Sequence, residues 1–508
     1  MTDSARARQP CFHSKYAPLK EAERFVDASL QNKKPGTVLL LGPGENYITT
    51  VLAARYPWAA IYSIHPDGQF CKPGLDQATA WWPQAGLTLR NFLRRCLFNE
   101  QASAGVAVLE WEPVMATYPQ MAAQIRNEVT KSLASAAADR ATVTYWAASW
   151  LKNCLHFARR LRQATSLSQQ SGGIILAAAG PGLNDCLPAI RRSRDQATVW
   201  ALSSAVPALL TAGIRPDFVI STDPGYWSGV HLQSSRQQGL LVGLPPSAYA
   251  GTGLLDSGRP IVPLDTGLLF EKTVLQQLGI TAVPAIAFGT AAGTALNLAL
   301  TASTGPIAVC GLDFAAYQTR THAKPYAFDN LHLEHASRLH PGQASLYGET
   351  IERYPEKAGS WRFSRAFSAY ANELTIAPSD LGRVFRFSRS PVTSAGMASF
   401  PVCHFENLDW PENSPPESPE IKSVSGGADK VVGILDALGR QAGLAIDQAL
   451  VSGKAFAFDD ALVLKALGGA AVAAPLALAA RGQLTSQTAL QAREAIRQAL
   501  EKWSEPCR

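Results

Sequence analysis

The sequence G-I-I-L-A-A-A-G-P-G-L-N-D at residues 173–185, continued by V-W-A-L-S-S-A-V-P-A-L-L-T-A-G-I-R-P-D-F-V-I-S-T-D-P at residues 199–224, decides the fold of the central part of the chain. Three short apolar runs, at residues 174–176, 198–202 and 218–220, alternate with segments of helical spacing. This alternation is typical of a parallel sheet with helical crossovers. The sequence therefore predicts an α/β central domain with a Rossmann-like parallel sheet.

Polar turns follow each of the three predicted strands. Ligands of parallel α/β sheets bind beyond the carboxyl ends of the strands. A glycine-rich turn that leads into a helix is expected to expose backbone amides, which favour phosphate or another anion. We therefore expect an anion-binding edge, whose residues in these turns are Gly180, Pro181, Gly182, Asn184, Ser203, Ser204 and Asp223.

The rest of the chain is predicted to fold as separate segments. Residues 10–115 contain a second strand–turn–helix–strand pattern around Gly-Pro-Gly at 42–44, which predicts an N-terminal Rossmann-like α/β domain. That turn departs from the dinucleotide fingerprint, so a structural role is favoured over a live cofactor site. Residues 116–171 predict a helical connector and 172–405 the central domain. A Pro/Ser-rich linker at 406–424 and a C-terminal helical module at 425–508 complete the chain.

Composition limits the classes of function. The 508 residues carry a net charge of +6 without a basic stripe, which disfavours nucleic-acid binding. The eight cysteines form no C-x-x-C pair, and the polar start lacks a signal-peptide pattern, so we expect a cytoplasmic protein. The apolar stretch at 461–480 is interrupted by Lys465 and Pro475, and we expect no membrane span there.

Two further side chains fit chemistry at the same edge. Asp313 follows the apolar run 307–309, so it is expected beside Gly180 and Asp223. His322 follows on a loop, and a histidine suits general-base work at neutral pH. The cations considered for a donor carboxylate or a leaving phosphate are Lys324, Arg338, Arg362, Arg365 and Arg386.

These motifs resemble those of a known family. Residues 174–185 look like the Gly-x-Gly-Pro-Ser-Leu turn of the motility accessory factors, which are flagellin glycosyltransferases, and of bacterial sialyltransferases. T-A-G-I-R-P-D-F-V-I-S-T-D-P at 211–224 is nearly identical to an accessory-factor motif. Later motifs at 288–299, 307–315 and 321–323, and an earlier one at 12–25, follow in the same order. The resemblance covers roughly residues 12–400, and a related archaeal branch is similar to MptE-like 6-hydroxymethylpterin diphosphokinases.

The resemblance implies a glycosyltransferase with a sialyltransferase-like central domain. It would move a nonulosonic, sialic-like acid from a CMP-activated donor to Ser or Thr of flagellin, with no required metal. The implied catalytic residues are His322 as base, with Asp313 and Asp223. Gly289, Thr290 and Thr294 would join the three turns in holding the nucleotide. The expected partners are flagellin and the nucleotide sugar, while the oligomeric state is left open.

Two alternatives stay open. The first is a magnesium-dependent pterin diphosphokinase, in which carboxylates such as Asp223, Asp265 and Asp313 would serve the metal. The second is a catalytically degenerate, flagellin-binding scaffold. Ala178 and Gly182 favour the second alternative, because the family turn has Gly and Ser at these positions. An added methyl at Ala178 is expected to crowd a pyrophosphate.

Overall fold

A computed structural model of the chain describes residues 12–68, 76, 78–84, 87–97, 105–287, 289–374, 376–394, 397–411, 420–453, 456–479 and 483–504. The chain divides into two compact units, Met1–Ala148 with Leu435–Arg508, and Ser149–Ile434. This division is coarser than the segments expected from the sequence. The expected boundary at 171/172 falls inside the second unit.

The first unit is built on a small parallel sheet. Its elements, in chain order, are α1 (Pro18–Leu30), β1 (Thr37–Leu41), α2 (Tyr47–Arg55), β2 (Ala60–Ile64), β3 (Ala80–Trp81), α3 (Leu89–Leu97), β4 (Val106–Glu110), α4 (Glu112–Met115) and the start of α5 (Pro119–Arg160). The strands run in the order β3-β2-β1-β4, all parallel. Strand β1 is buried on both faces, because Leu39 and Leu41 pack in one apolar cluster while Val38 and Leu40 pack in another.

The second unit contains a large, mostly parallel sheet. Its elements after α5 are β5 (Gln163–Thr165), β6 (Gly173–Ala177), α6 (Leu183–Arg192), β7 (Ala197–Leu202), α7 (Val206–Thr211), β8 (Phe218–Ile220), α8 (Ser228–Gln238), β9 (Val242–Leu244), β10 (Ile261–Asp265), α9 (Leu269–Leu278), β11 (Val283–Pro284), α10 (Ala291–Ala302), β12 (Ile307–Cys310), β13 (Ala316–Tyr317), α11 (Asp329–Glu334), α12 (Gly342–Arg353), β14 (Glu356–Ala358), β15 (Trp361–Phe363), α13 (Arg365–Glu373), β16 (Val384–Phe387), β17 (Ser399–Phe400) and β18 (Ile421–Ser423).

The sheet order is β17-β16-β12-β6-β7-β8-β9-β10-β5-β18, and β11 pairs with β10. All neighbouring pairs are parallel except β5 and β18. The apolar face of α10 packs on the sheet together with side chains of β6, β7 and β12. Fully buried strands of this kind read as continuous apolar runs, and all five residues of β6 are buried. A separate antiparallel sheet, β13-β15-β14, lies between β12 and β16 in the chain.

The linker predicted at 406–424 is wrong at both of its ends, while its centre at 412–419 lies outside the described residues. Glu406 pairs with Arg192, and Trp410 packs so tightly on β6 that a Cβ at Gly173 would lie 2.2 Å from its ring. Residues 421–423 form β18 and complete the sheet edge beside β5. The Pro-rich composition therefore gave no indication that two segments on either side of residues 412–419 fold against the central sheet.

The C-terminal helices are α14 (Ala428–Ser452), α15 (Phe458–Gly468), α16 (Ala473–Ala479) and α17 (Ser486–Ser504). Among the described residues, one segment, Asp459–Ala479, is long and apolar enough to cross a membrane. Half of it is buried within the protein, and it spans α15 and α16. Because core helices pass the same test, this is weak evidence for a membrane span.

The close approach of Phe218 to Gly243 gives a test of the sheet. A Cβ on Gly243 would lie 2.4 Å from Cζ of the buried Phe218 ring. We expect Gly243→Ala to lower the free energy of unfolding by about 1–3 kcal/mol, because the methyl overpacks the strand pair. Phe218→Leu alone also destabilises by leaving a cavity, and the double variant should lose less than the sum. Chemical denaturation followed by circular dichroism measures all three.

Gly348→Ala is the matched control, because its Cβ would meet nothing within 4 Å on α12. This variant should be neutral or stabilised by up to about 1 kcal/mol. Strictly additive losses for the double variant would show that the ring does not limit residue 243.

Candidate functional site

The carboxyl edge of the large sheet has a point where the chain changes direction. From β6 the chain proceeds through β7, β8, β9 and β10, and then crosses to the other side of β6 to form β12 and β16. Ligands of open α/β sheets bind at such a switch point. The turn that starts at Gly180 follows β6, and Asp313 follows β12, so both lie at this point.

The Gly180 turn is closed around the carboxylate of Asp313. Gly182 N donates to Asp313 Oδ2 at 2.7 Å, and Ser388 Oγ donates to Oδ1 at 2.5 Å. A Cβ on Gly180 would lie 2.4 Å from Oδ2, and one on Gly182 would lie 2.7 Å from Oδ1. The two glycines are therefore explained by the close approach of this carboxylate. The family serine at 182 would not fit here without movement of Asp313.

Asp313 is buried and lies near a buried cation. Burial raises the pKa of Asp313, while the bonds from Ser388 and Gly182 and the charge of Arg386 act against this rise. Arg386 is fully buried, and its guanidinium donates to Leu312 O at 2.7 Å and to Val392 O at 2.9 Å. The expectation that Arg386 neutralises a ligand is therefore wrong, because it is enclosed by the loops it holds.

The turn does not present the exposed amides that the sequence predicted. Gly180 N donates to Gly311 O at 2.8 Å, and Gly182 N is bonded to Asp313. The next three amides, at residues 183–185, donate to the carbonyls of Gly180, Pro181 and Gly182. Pro181 has no amide hydrogen. The amides from 180 to 185 thus stabilise the turn itself and leave no cradle for phosphate.

Ala178 does not crowd a ligand either. Its side chain is buried and packs in the apolar cluster of the sheet, and its amide donates to Cys310 O at 2.8 Å. The expected crowding of a pyrophosphate by this methyl group is wrong, because the group faces the core.

Asn184 fastens a second loop to the turn. Its Nδ2 donates to Lys324 O at 2.7 Å, and its Oδ1 accepts from Lys324 N at 2.9 Å. Ala323 N also donates to Ala179 O at 2.9 Å. These bonds fix residues 321–324 against the switch point. Asn184 therefore positions the loop that carries His322, and its side-chain amide is occupied in doing so.

His322 lies half-buried on that loop. Its ring stacks on Tyr326 with centroids 4.1 Å apart, and Nδ1 lies 2.9 Å from Thr321 Oγ1. The pKa of His322 is lowered to about 3, mainly by burial and then by His231, Lys324 and Arg353, while Asp329 acts against this shift. The imidazole is therefore neutral at physiological pH. Arg353, which the sequence reasoning missed, contributes positive charge here together with Lys324.

The remaining predicted nucleotide contacts are mostly engaged in local structure. Ser203 is buried, and its Oγ donates to Ser221 Oγ at 3.4 Å, while Ser204 is half-exposed. Thr290 caps α10 by accepting from Gly293 N at 3.1 Å. Thr294 is buried within α10. Gly289, just before the cap, is exposed with a φ of +47°.

Asp223 is exposed at the end of β8. Its Oδ1 accepts from Gly225 N at 2.8 Å, and its carbonyl accepts from Tyr249 N at 3.0 Å and from Ser228 Oγ at 3.3 Å. Asn153 Nδ2 donates to Pro224 O at 3.0 Å and to Ser247 O at 2.8 Å. The loops after β8 and β9 are thereby fixed to helix α5.

A buried acid completes this support. Glu271, fully buried on α9, accepts hydrogen bonds from Ser247 Oγ and from Thr266 N and Oγ1. Burial raises the pKa of Glu271 to about 7 despite these bonds. The acid ties the loop after β9 to the loop after β10.

The sequence reasoning missed an aromatic patch beside Asp223. Tyr226 and Trp227 are 68% and 59% exposed. Trp227 contacts Phe328 at 5.9 Å between ring centroids, and Phe328 in turn contacts Tyr326 at 5.4 Å, the ring on which His322 stacks. A row of rings thus runs from His322 to Tyr226. The available signal was the Y-W pair directly after S-T-D-P-G.

The glycine turn of the first unit is filled by its own side chains. A Cβ on Gly42 would lie 2.9 Å from Met115 Sδ, and one on Gly44 would lie 2.9 Å from His13 Nε2. His13 stacks on Trp111, and its Nε2 lies 3.1 Å from Pro43 O. The packing favours the structural role expected for this turn.

No group of three or more His, Cys, Asp or Glu residues that could hold a metal ion occurs in the described part of the chain. The three carboxylates considered for magnesium each accept hydrogen bonds within the protein. Asp313 is enclosed by the Gly180 turn, whereas Asp223 and Asp265 each accept from a loop amide two residues ahead.

Comparison with known proteins identifies the central segment. Residues 148–319 match the family described as 6-hydroxymethylpterin diphosphokinase MptE-like, so this segment is similar to MptE-like domains. An uncharacterized protein of Treponema pallidum (strain Nichols) is 26% identical over 315 residues, which is 61% of this chain and 67% of that protein. A second uncharacterized protein of the same strain is 32% identical over 122 residues, which is 23% of this chain and 56% of that protein.

The fold is similar to that of a solved structure. The MAf glycosyltransferase from Magnetospirillum magneticum AMB-1 aligns with a TM-score of 0.51 over 95% of this chain and 83% of that chain, at 11% sequence identity. The predicted α/β fold with Rossmann-like parallel strands is confirmed. The predicted resemblance to motility accessory factors with an MptE-like central domain is confirmed for the domain and the fold.

The Asp313 network predicts a large loss of stability in Asp313→Asn. The new amide would place N–H groups against Gly182 N or Ser388 Oγ and remove the charge that faces Arg386. We expect the free energy of unfolding to fall by about 2–4 kcal/mol in denaturant titrations.

Asp185→Asn is the matched control within the same turn. Its exposed carboxylate lies 3.7 Å from an exposed guanidinium of Arg389, and such a pair contributes at most about 1 kcal/mol. Equal losses in the two variants would contradict the role given to Asp313.

Glu271 predicts a pH-dependent contribution to stability. Its pKa is about 7 in the folded protein, against 4.5 for an unperturbed glutamate, so folding takes up a proton between these values. The contribution is therefore complete below about pH 4.5 and is lost as the pH rises through about 7. Glu271→Gln should lack this slope, so the difference between the wild-type and variant unfolding free energies should fall as the pH rises from about 4.5 to 7. Parallel pH curves from 4.5 to 8 would contradict it.

Proposed function

We propose that the protein is a cytoplasmic glycosyltransferase. It transfers a nonulosonic, sialic-like acid from a CMP-activated donor to Ser or Thr hydroxyls of flagellin, and so supports flagellar assembly and motility. The proposal draws on the fold shared with a MAf glycosyltransferase and on the order of the motifs along the chain.

One observation carries the proposal. The loop of residues 321–324 is bonded to the turn after β6 through Asn184 and Ala179. These bonds hold His322 at the switch point of the parallel sheet, where ligands of this architecture bind. A neutral imidazole is thus fixed at the edge with Lys324 and Arg353 close enough to act on its pKa.

The transfer fits these groups. The acceptor oxygen forms a bond to the anomeric carbon as the bond from that carbon to the phosphate oxygen of CMP breaks, and the electron pair leaves with CMP. The acceptor proton passes to His322 or, through it, to water. The transition state of glycosyl transfer has oxocarbenium character, so the hydroxyl needs a correctly placed acceptor more than a strong base. His322 is neutral before the transfer, carries the proton as a short-lived imidazolium, and releases it to water because its pKa is low.

Positive charge stabilises the departing phosphate in this scheme. The positive charges of Lys324 and Arg353 are close enough to His322 to lower its pKa. The ammonium group of Lys324 is held by an ion pair with Asp329. Cations and preorganised donors replace a metal in stabilising the leaving group. The proposal therefore requires no metal cofactor.

A second candidate follows from the MptE-like match of residues 148–319. A pterin diphosphokinase would use ATP and Mg²⁺, which requires carboxylates near the phosphates. Asp223 and Asp265 are the partly or fully exposed carboxylates at strand ends. Dependence on the metal distinguishes this reaction from the first.

Transfer to flagellin tests the proposal. We expect the purified protein to transfer the sugar from a CMP-nonulosonate to flagellin in the presence of EDTA, detected as a mass increase. His322→Ala should lower kcat/KM by roughly 10²–10⁴-fold, since a placed proton acceptor contributes about this much. With a pKa of about 3, His322 adds no acidic limb to the rate profile between pH 8 and 5.

His340→Ala is the control, because this exposed histidine follows α11 and is not tied to the turn. It should leave the rate unchanged. Transfer of diphosphate from ATP to 6-hydroxymethylpterin that requires Mg²⁺ would support the second candidate. Flagellin binding without either reaction would support the scaffold.

A further inference from the structure

We infer that Asp223, Tyr226 and Trp227, here called the β8 surface, bind the nucleoside part of the nucleotide, with the base on the exposed rings and the ribose diol on the carboxylate. The inference rests on the proposed function, because it places one part of the CMP-activated donor. The sequence predicted that the Gly180 turn holds the nucleotide, whereas this inference assigns its nucleoside part to the end of β8.

The two rings of the β8 surface are held in place yet remain open. Tyr226 contacts Tyr249 at 5.4 Å and Trp227 contacts Phe328 at 5.9 Å between ring centroids. Both side chains nevertheless keep more than half of their surface exposed. Adjacent exposed aromatic rings at a ligand-binding edge are suited to stacking, and a stacked base contributes enough that its loss is measurable.

Asp223 is the acceptor that a ribose needs. Its backbone is fixed by the bonds from Tyr249 N and Ser228 Oγ, and its Oδ1 is oriented by Gly225 N. The side chain is exposed, so the carboxylate is open to hydroxyl donors. In nucleotide-binding α/β sheets an acid at a strand end accepts hydrogen bonds from the ribose hydroxyls. A phosphate would be repelled by the same charge.

The positions of the charges then orient the donor. Phosphate is excluded from the Gly180 turn because its amides are already bonded, and from Asp223 by charge. The cations Lys324 and Arg353 act at His322, which is joined to the β8 surface by the rings of Tyr326 and Phe328. We place the nucleoside at the β8 surface and the phosphate toward these cations.

The chemistry of a flat ring with polar hydrogens at its edge is shared by a nucleoside and a pterin. Both would stack on Trp227 and donate to Asp223. The charge arrangement favours the nucleoside, because a CMP phosphate then reaches the positive side of the site. The two ligands are separated by direct titration.

The test is calorimetric titration of the full chain with CMP, 2′,3′-dideoxy-CMP and 6-hydroxymethylpterin. We expect Trp227→Ala to weaken CMP binding by roughly tenfold or more, and Trp227→Phe to restore most of it. Asp223→Asn should weaken CMP binding but leave dideoxy-CMP binding unchanged, since that ligand lacks the diol. Tyr145→Ala, a 74% exposed tyrosine of the first unit, is the matched control and should bind CMP normally.

Transfer to flagellin is measured in parallel, so the two proposals fail separately. One outcome is that the wild-type protein transfers the sugar and that Trp227→Ala and Asp223→Asn bind CMP with unchanged affinity. This outcome overturns the nucleoside assignment and leaves the proposed glycosyltransferase function intact. Binding of the pterin but not of CMP, lost in the same variants, overturns the nucleoside assignment in favour of the diphosphokinase. CMP binding with the expected losses but no transfer supports the β8 surface and contradicts the proposed function.

Discussion

The buried carboxylate of Asp313 is the constraint on which the edge of the large sheet depends. Asp313 itself lies on the loop after β12. Its carboxylate accepts hydrogen bonds from Gly182 N on the loop after β6 and from Ser388 Oγ on the loop after β16, and so joins the three loops. Removing a carboxylate from water is costly, and the raised pKa of Asp313 records that cost. The carboxylate can approach the turn because Gly180 and Gly182 have no Cβ. The positive charge of Arg386 partly compensates the buried negative charge. The glycines therefore follow from an internal electrostatic requirement.

The Gly180 turn also fixes the position of the loop of residues 321–324. Asn184 uses both ends of its amide on the backbone of Lys324, so the location of His322 is set by the same segment that encloses Asp313. The contacts between the rings of Tyr326 and Phe328 connect this loop with Trp227. Helix α5 and Glu271 hold the loops on the other side of the edge. The exposed groups are thus carried by loops that hydrogen bonds fix to the rest of the unit.

The strands of the central domain could be predicted because buried parallel strands are continuous apolar runs. The runs 174–176, 198–202 and 218–220 lie within β6, β7 and β8. The pattern also indicated that Gly180, Asp223 and Asp313 share one edge. It gave no means to tell a glycine that faces a ligand from one that faces a carboxylate, because that depends on a side chain 131 residues away in sequence. The same limit applies to Arg386, and to β18 within the Pro-rich segment.

The difference between the closed and open parts of the edge bears on function. Gly180, Gly182 and Asn184 carry the motif by which the family is recognised, yet their polar groups are bonded within the protein. Asp223, Tyr226 and Trp227 keep exposed surface although large aromatic side chains gain stability from burial. Both rings keep more than half of their surface exposed, so they contribute less to folding than buried aromatic side chains do. The proposed ligand, with a flat ring and hydroxyl donors, would account for their exposure, whereas the Gly180 turn encloses Asp313 and, through Asn184, holds the loop of His322.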